Sequence, residues 1–210
     1  AKVLPNEILV PGKLAFKHRK EFYKEIKLKI APSFKKHFPN KKKKAKKIYK
    51  FTLALCGIYS LDESLISWII FVLSRNSNIK VIIKPHPSLS IQKFQNLISR
   101  KLSNQIIISK EPADILLQKS EFLISSGPTS IVFESLLYGC KLLYLNLDPS
   151  DIFILKKKLI KTKNFEFLKK KNSLLKIMTK YNNLPIKKND YNKQLSFYSK
   201  LTNNNLKFFY

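Results

Sequence analysis

Residues 121–146 read EFLISSGPTSIVFESLLYGCKLLYLN. Glu121 to Ser125 is an apolar, β-rich run. Ser125-Ser126-Gly127-Pro128-Thr129-Ser130 interrupts it with hydroxyls, a glycine and a proline. Thr129 to Tyr138 then spaces its apolar residues as a helix does. Gly139 stands where a helix C-terminus favours left-handed backbone. Lys141 to Asn146 is apolar again. A strand, a tight turn, a helix and a second strand follow one another with almost nothing between them. The strands are apolar throughout rather than alternating, which predicts a parallel sheet covered on both faces.

The same rhythm extends upstream. Ile48 to Gly57 reads as a strand, Leu61 to Arg75 as a helix and Lys80 to Lys84 as a strand stopped by Pro85. Ile91 to Leu102 reads as a helix, Gln105 to Ser109 as a strand and Pro112 to Lys119 as a short helix with proline in its first turn. The repeated strand–helix alternation predicts an α/β fold, a Rossmann-like doubly wound parallel sheet. Beyond Asp148, helices are expected around Phe165 to Tyr181 and Tyr191 to Leu201. Three segments result: a basic lead-in over 1–47, with a short strand at Asn6 to Val10; a Rossmann-like domain over 48–150; and a C-terminal helical extension over 151–210.

The 210 residues carry a formal net charge of +28, from 41 Lys and Arg against 13 Asp and Glu. Only Arg19, Arg75 and Arg100 are arginines, so 38 of the cations are Lys. Asn and Ile are also abundant, and all three types share A/T-rich codons. Nucleic-acid readers favour Arg for bidentate contacts to phosphate and guanine, so no nucleic-acid partner is expected. An attraction to anionic membrane surfaces fits the charge better. The run Lys41 to Lys47 reads as a solvated loop. Cys56 and Cys140 lie in apolar runs without a C-x-x-C partner, as suits a reducing cytosol. No apolar stretch reaches the ~20 residues of a membrane span, and no signal peptide is visible. The expected location is cytoplasmic, with peripheral contact to the inner face of the membrane.

Glycine scarcity narrows the chemistry. The chain has four, Gly12, Gly57, Gly127 and Gly139, and their spacing excludes both G-x-G-x-x-G and the P-loop. There is no D-x-D, no H-E-x-x-H and no Cys/His cluster, so no protein-held metal or cofactor is expected. The lack of a G-x-S-x-G elbow disfavours a serine hydrolase.

In an open parallel sheet, ligands bind beyond the C-terminal strand ends, near helix N-termini. Three loops belong there. Lys84-Pro85-His86-Pro87-Ser88 holds an imidazole between prolines, which restrict the backbone. Such a ring can donate to a phosphate or protonate a leaving group; capping a turn is the plainer role. Ser125, Ser126, Gly127, Thr129 and Ser130 suit an anion seat, with helix capping by Ser126 or Thr129 as the alternative. Glu134, in an apolar helix, needs a partner such as ribose hydroxyls unless it faces outward. Ser60 and Asp62 are candidate donor or acceptor contacts, or simple helix caps.

The pair Lys84-Pro85-His86-Pro87 and Ser125-Ser126-Gly127-Pro128-Thr129-Ser130-(x)3-Glu134-(x)4-Gly139 resembles the C-terminal half of the glycosyltransferase-B fold. More narrowly, it resembles bacterial surface-carbohydrate enzymes that use CMP- or CDP-activated donors: sialyltransferases, Kdo transferases, capsule-polysaccharide enzymes and glycerophosphotransferases. The resemblance spans roughly residues 48 to 147. It implies that His86 contacts the donor phosphate and assists leaving-group departure. It implies phosphate binding by Lys84, Ser125, Ser126, Gly127, Thr129 and Ser130, and ribose binding by Glu134. It further implies a metal-independent glycosyltransferase, with a nucleotide-sugar (CMP-linked) as substrate and a surface polysaccharide or lipid-linked glycan as acceptor. The acceptor-activating base would lie in an N-terminal domain outside this chain, which opens in mid-pattern. A CDP-glycerol-type glycerophosphotransferase, a nucleotide-sugar epimerase and a basic nucleic-acid or membrane-binding module are the alternatives.

Overall fold

Parallel pairing needs crossovers, and the sequence supplies one between nearly every pair of apolar runs. In the computed structural model, the described residues are 5–11, 20, 24–31, 46–94, 97–98, 102–127, 129–147 and 165–186. The chain divides into two compact units, Ala1–Phe38 with Asp190–Tyr210, and Pro39–Asn189. In the first unit, β1 (Glu7–Pro11) pairs in parallel with β2 (Lys27–Ala31). The Lys29 ammonium lies 2.8 Å from the Glu7 carboxylate across that pair. The strand expected at Asn6 to Val10 is thus present. β2 falls in the basic lead-in at residues where no strand is expected, although Ile26-Lys27-Leu28-Lys29-Ile30 alternates with the period of a strand.

The second unit holds the predicted Rossmann-like sheet. Its elements are β3 (Tyr49–Ala54), α1 (Tyr59–Leu73), β4 (Val81–Lys84), β5 (Ile106–Ile108) and α2 (Ala113–Lys119). They continue with β6 (Ser120–Ser125), α3 (Ser130–Leu137), β7 (Lys141–Leu145), β8 (Phe165–Leu168) and α4 (Lys171–Asn182). The six strands lie in the order β5-β4-β3-β6-β7-β8, with every pairing parallel. Counted within this unit, that is the 3-2-1-4-5-6 order of the doubly wound fold.

β3 and β6 form the centre, and both are buried along most of their length. Phe51, Leu53, Phe122, Leu123 and Ile124 have essentially no exposure. α1 supplies Leu65, Ile66, Ile69, Val72 and Leu73 to the same core. Side chains of this kind contribute about 1.5–3 kcal/mol each when fully buried.

Two expectations need correction. Phe165–Leu168 is not the start of a helix but the sixth strand, paired with β7 from Leu142↔Phe165 to Leu145↔Leu168. The aromatics at 165 and 167 favour a pleated surface, and Phe167 lies 6.0 Å from Tyr144, stacked at 13°. Of the helix expected over 91–102, the described residues show a 3-10 turn at Ile91–Phe94. The helix expected at 191–201 lies outside the described residues. Among the described residues, no helix is long and apolar enough to cross a membrane.

Candidate functional site

The strand order reverses between β3 and β6, and the chain leaves both strands through a left-handed glycine. Gly57 has φ +86° and Gly127 has φ +75°. A side chain at either position would be strained, and neither has room for one. A Cβ on Gly57 would stand 2.5 Å from His86 Nδ1 and 2.8 Å from Ser88 Oγ. A Cβ on Gly127 would stand 3.0 Å from Cys56 Sγ and 3.1 Å from Leu61 Cδ1. The loop after β3 therefore touches the loops after β4 and β6. The three segments singled out in the sequence meet at the switch point.

Asp62 sets the shape of the middle loop. It is fully buried in the first turns of α1. Its Oδ1 accepts the Cys56 N–H at 2.8 Å and its Oδ2 accepts the Gly57 N–H at 2.9 Å. The carboxylate turns back on the loop before its helix and holds Gly57 where His86 can lie against it. Ser60 is exposed on the first turn of α1. The residue before that helix is Ile58, which makes no side-chain cap.

His86 is half-buried, just past the end of β4. Its Nδ1 lies 2.7 Å from Ser88 Oγ and 3.2 Å from the Ser88 backbone N. An amide N–H can only donate, so Nδ1 is the acceptor. The neutral ring then carries its proton on Nε2. Ser88 closes the motif, and its spacing two residues after His86, across Pro87, is the signal that it anchors the ring. Lys84, half-buried, ends β4 and its carbonyl accepts the Leu55 N–H at 3.1 Å.

On the β6 side, Ser125 and Ser126 are both fully buried. Ser125 Oγ donates to the Ala54 carbonyl at 3.1 Å, tying β6 to β3 at the base of the site. Ser126 Oγ is buried and has no hydrogen-bond partner. Buried hydroxyls are normally satisfied, so this one calls for a partner that the protein itself does not supply. Thr129 N–H donates to the Gly127 carbonyl at 3.1 Å, closing the turn into α3. Thr129 is half-buried and Ser130 exposed, at the helix N-terminus; Glu134 is half-buried one turn further on. Pro128 lies outside the described residues.

Cys56 lies between the two glycine loops, and burial pushes its thiol up to about 11. It is a protonated, unreactive thiol near neutral pH. Among the described residues, no three His, Cys, Asp or Glu side chains group as a metal set. The arrangement brings an Nε2–H donor, a buried hydroxyl without a partner and the N-terminus of α3 to one edge of the sheet. Those groups suit an anion.

No family model and no curated protein sequence matches the chain. Its backbone does match solved structures, and these define the class of fold as half of a glycosyltransferase-B architecture. TarM matches with TM-score 0.58 and 15% identity, over 96% of this chain and 40% of TarM. The pneumococcal O-GlcNAc transferase GtfA, solved with UDP and GlcNAc, matches with TM-score 0.58 and 8% identity, over 97% of this chain and 44% of GtfA. The GtfA/B complex matches with TM-score 0.59 and 7% identity, over 94% of this chain and 43% of that one. The chain thus spans about two fifths of the length of these proteins.

Proposed function

We propose that this chain is the donor-binding half of a metal-independent glycosyltransferase, acting on a CMP-linked sugar. The supporting observation is the meeting of His86, Gly57 and the Ser126–Gly127 turn at the β3/β6 switch point. The donor phosphate sits on the turn into α3. It accepts from Ser126 Oγ, Thr129 or Ser130 and from His86 Nε2–H, with Lys84 adding charge from the end of β4. Helix N-termini favour an anion by about 0.3–1 kcal/mol before any side-chain contact. Glu134, one turn into α3, accepts from the ribose hydroxyls. Ser125 and Asp62 position the loops rather than touch the donor.

In the reaction, the bond between the sugar's anomeric carbon and the phosphate oxygen breaks, and its electron pair leaves on that oxygen. The His86 proton and the helix end stabilise the charge that develops there. An acceptor hydroxyl of a glycan or lipid-linked glycan forms the new bond to the anomeric carbon. Its proton goes to a base on a facing domain. The neighbours TarM and GtfA were solved with UDP, which makes uridine nucleotides the natural competitor to the cytidine expected from the motifs.

Calorimetric titration with CMP, CDP and UDP tests the reading. CMP or CDP should bind more tightly than UDP, and His86→Ala should weaken binding about 10–100-fold, the worth of a hydrogen bond to a charged group. UDP preferred, with the same His86 dependence, would keep the site and replace the base. No binding by any of the three, or no effect of His86→Ala, would overturn the proposal.

A further inference from the structure

Of the charge of +28, the donor site uses little beyond Lys84. Among the described residues of the second unit, the stretch around α4 gathers lysines without acids. Between Glu166 and Asp190 the sequence has no acidic residue and carries Lys169, Lys170, Lys171, Lys176, Lys180, Lys187 and Lys188. The first five are exposed on or just before α4. Leu174 and Met178 bury the opposite side of that helix, so Lys176 and Lys180, four residues apart, share its outer face.

The end of α4 adds to the cluster. Lys141 Nζ stands 4.7 Å from the centre of the Tyr181 ring, and Lys180 Nζ stands 5.8 Å from it. Lys50 Nζ reaches the Leu184 carbonyl at 2.7 Å. Lys50 is neutralised by an acid, Glu121 at 2.8 Å. Directly past the helix, Leu184 and Ile186 are 40% and 38% exposed. These aliphatic side chains stand in water beside a row of lysines. The contacts to Lys50 and Lys141, at the starts of β3 and β7, place this end of α4 at the sheet edge opposite His86 and Gly127.

We propose that α4 and the Leu184-Pro185-Ile186 segment form a docking face for an anionic lipid surface. Lysine heads lie against the lipid phosphates, and Leu184 and Ile186 enter the boundary of the acyl layer. A polynucleotide would match the charge equally well. It would be met by arginine and by open aromatic faces. Here the nearby aromatic, Tyr181, is already packed at 4.7 Å on Phe122, and the exposed residues are aliphatic.

Co-sedimentation with vesicles tests it, at an ionic strength of ~0.1 M. The chain should bind vesicles containing phosphatidylglycerol and not pure phosphatidylcholine. A variant with Lys170, Lys171, Lys176 and Lys180 all changed to Gln should lose about a hundredfold or more in partition, near fivefold per lysine. Leu184→Ser with Ile186→Ser should lose about tenfold. A control neutralises the same number of exposed lysines elsewhere: Lys46, Lys80, Lys93 and Lys110 to Gln. It should lose less than about tenfold. Equal losses from the two four-lysine variants would mean diffuse charge and overturn the proposal. So would equal binding to both vesicle types, or tighter binding to a polynucleotide than to the anionic vesicles at the same salt.

Discussion

The two edges of the central sheet are built from opposite chemistry. In a parallel α/β sheet every helix aims its N-terminus at one edge and its C-terminus at the other. The C-terminal edge of the strands therefore collects unpaired N–H groups, and the other edge collects unpaired carbonyls. At the first edge the chain places glycines, serines and a histidine. The fully buried carboxylate there, Asp62, is consumed by two backbone N–H groups. At the second edge it places long donors. Lys47 Nζ reaches the Leu117 carbonyl near the end of α2 at 2.8 Å and the Tyr138 carbonyl beyond α3 at 2.9 Å. Gln105 Nε2 donates at 3.0 Å to the Asn76 and Ile79 carbonyls after α1. One edge is satisfied internally; the other keeps donors, such as the Ser126 hydroxyl, unspent. The difference marks which edge waits for a ligand.

Gly57→Ala should break this division most strongly. The substitution adds a Cβ 2.5 Å from His86 Nδ1 at a φ of +86°. The left-handed backbone costs about 1–2 kcal/mol, and overpacking adds about 1–3 kcal/mol. His86 must also move, so nucleotide binding should fall together with the urea midpoint. If the midpoint drops while binding survives, His86 does not act from the position that Gly57 allows.

Lys47→Met should touch the other edge alone. Burial already pushes the Lys47 ammonium below its ordinary pKa, so part of its hydrogen-bonding gain is offset by desolvation. Methionine keeps the length but strands two carbonyls, which cost about 1–3 kcal/mol each, less the desolvation recovered. A net loss of about 2 kcal/mol is expected in denaturant titrations. CMP affinity should stay within about twofold, since the site lies at the opposite edge. A parallel loss of affinity would show that the two edges are coupled.

The contrast also explains what could be read from sequence. The strands of the core were legible because β3, β4, β6 and β7 are unbroken apolar runs between turn residues, and their order fixes a parallel sheet. The loops at the site edge were legible because glycine and proline advertise tight backbone: Gly57, Gly127 and the prolines around His86 stand at strand ends. The opposite edge was not. Lys47 belongs to a run of lysines that reads as solvated, and nothing local tells which of them turns inward to carbonyls 70 and 91 residues away. Glu121 opens an apolar strand, and its pairing with Lys50 needs the β3–β6 register to become visible. β8 was read as helix because Phe165 to Tyr181 carries apolar residues at spacings that suit either period. Asp62 was seen as a helix cap or ligand contact, and its actual bonds run backward to Cys56 and Gly57. Long-range partners, not local pattern, decided each of these.

The smallest expected effect reads the crevice itself. Burial raises the Cys56 thiol from its ordinary value of 9.0 to about 11. The folded state thus holds this proton more tightly than the unfolded chain does. Its contribution to stability is intact below pH 9 and is lost as pH rises through about 11, because only the unfolded thiol ionises easily in that window. Iodoacetamide should therefore label the native protein slowly at neutral pH, with a rate that climbs toward a midpoint near 11. Cys56→Ser should remove that native phase, because Cys140 is fully buried. In concentrated urea the midpoint should fall toward 9, the ordinary value. A native midpoint near the unfolded one would mean that Cys56 stands in water, and that the Gly57 and Gly127 loops do not close on it.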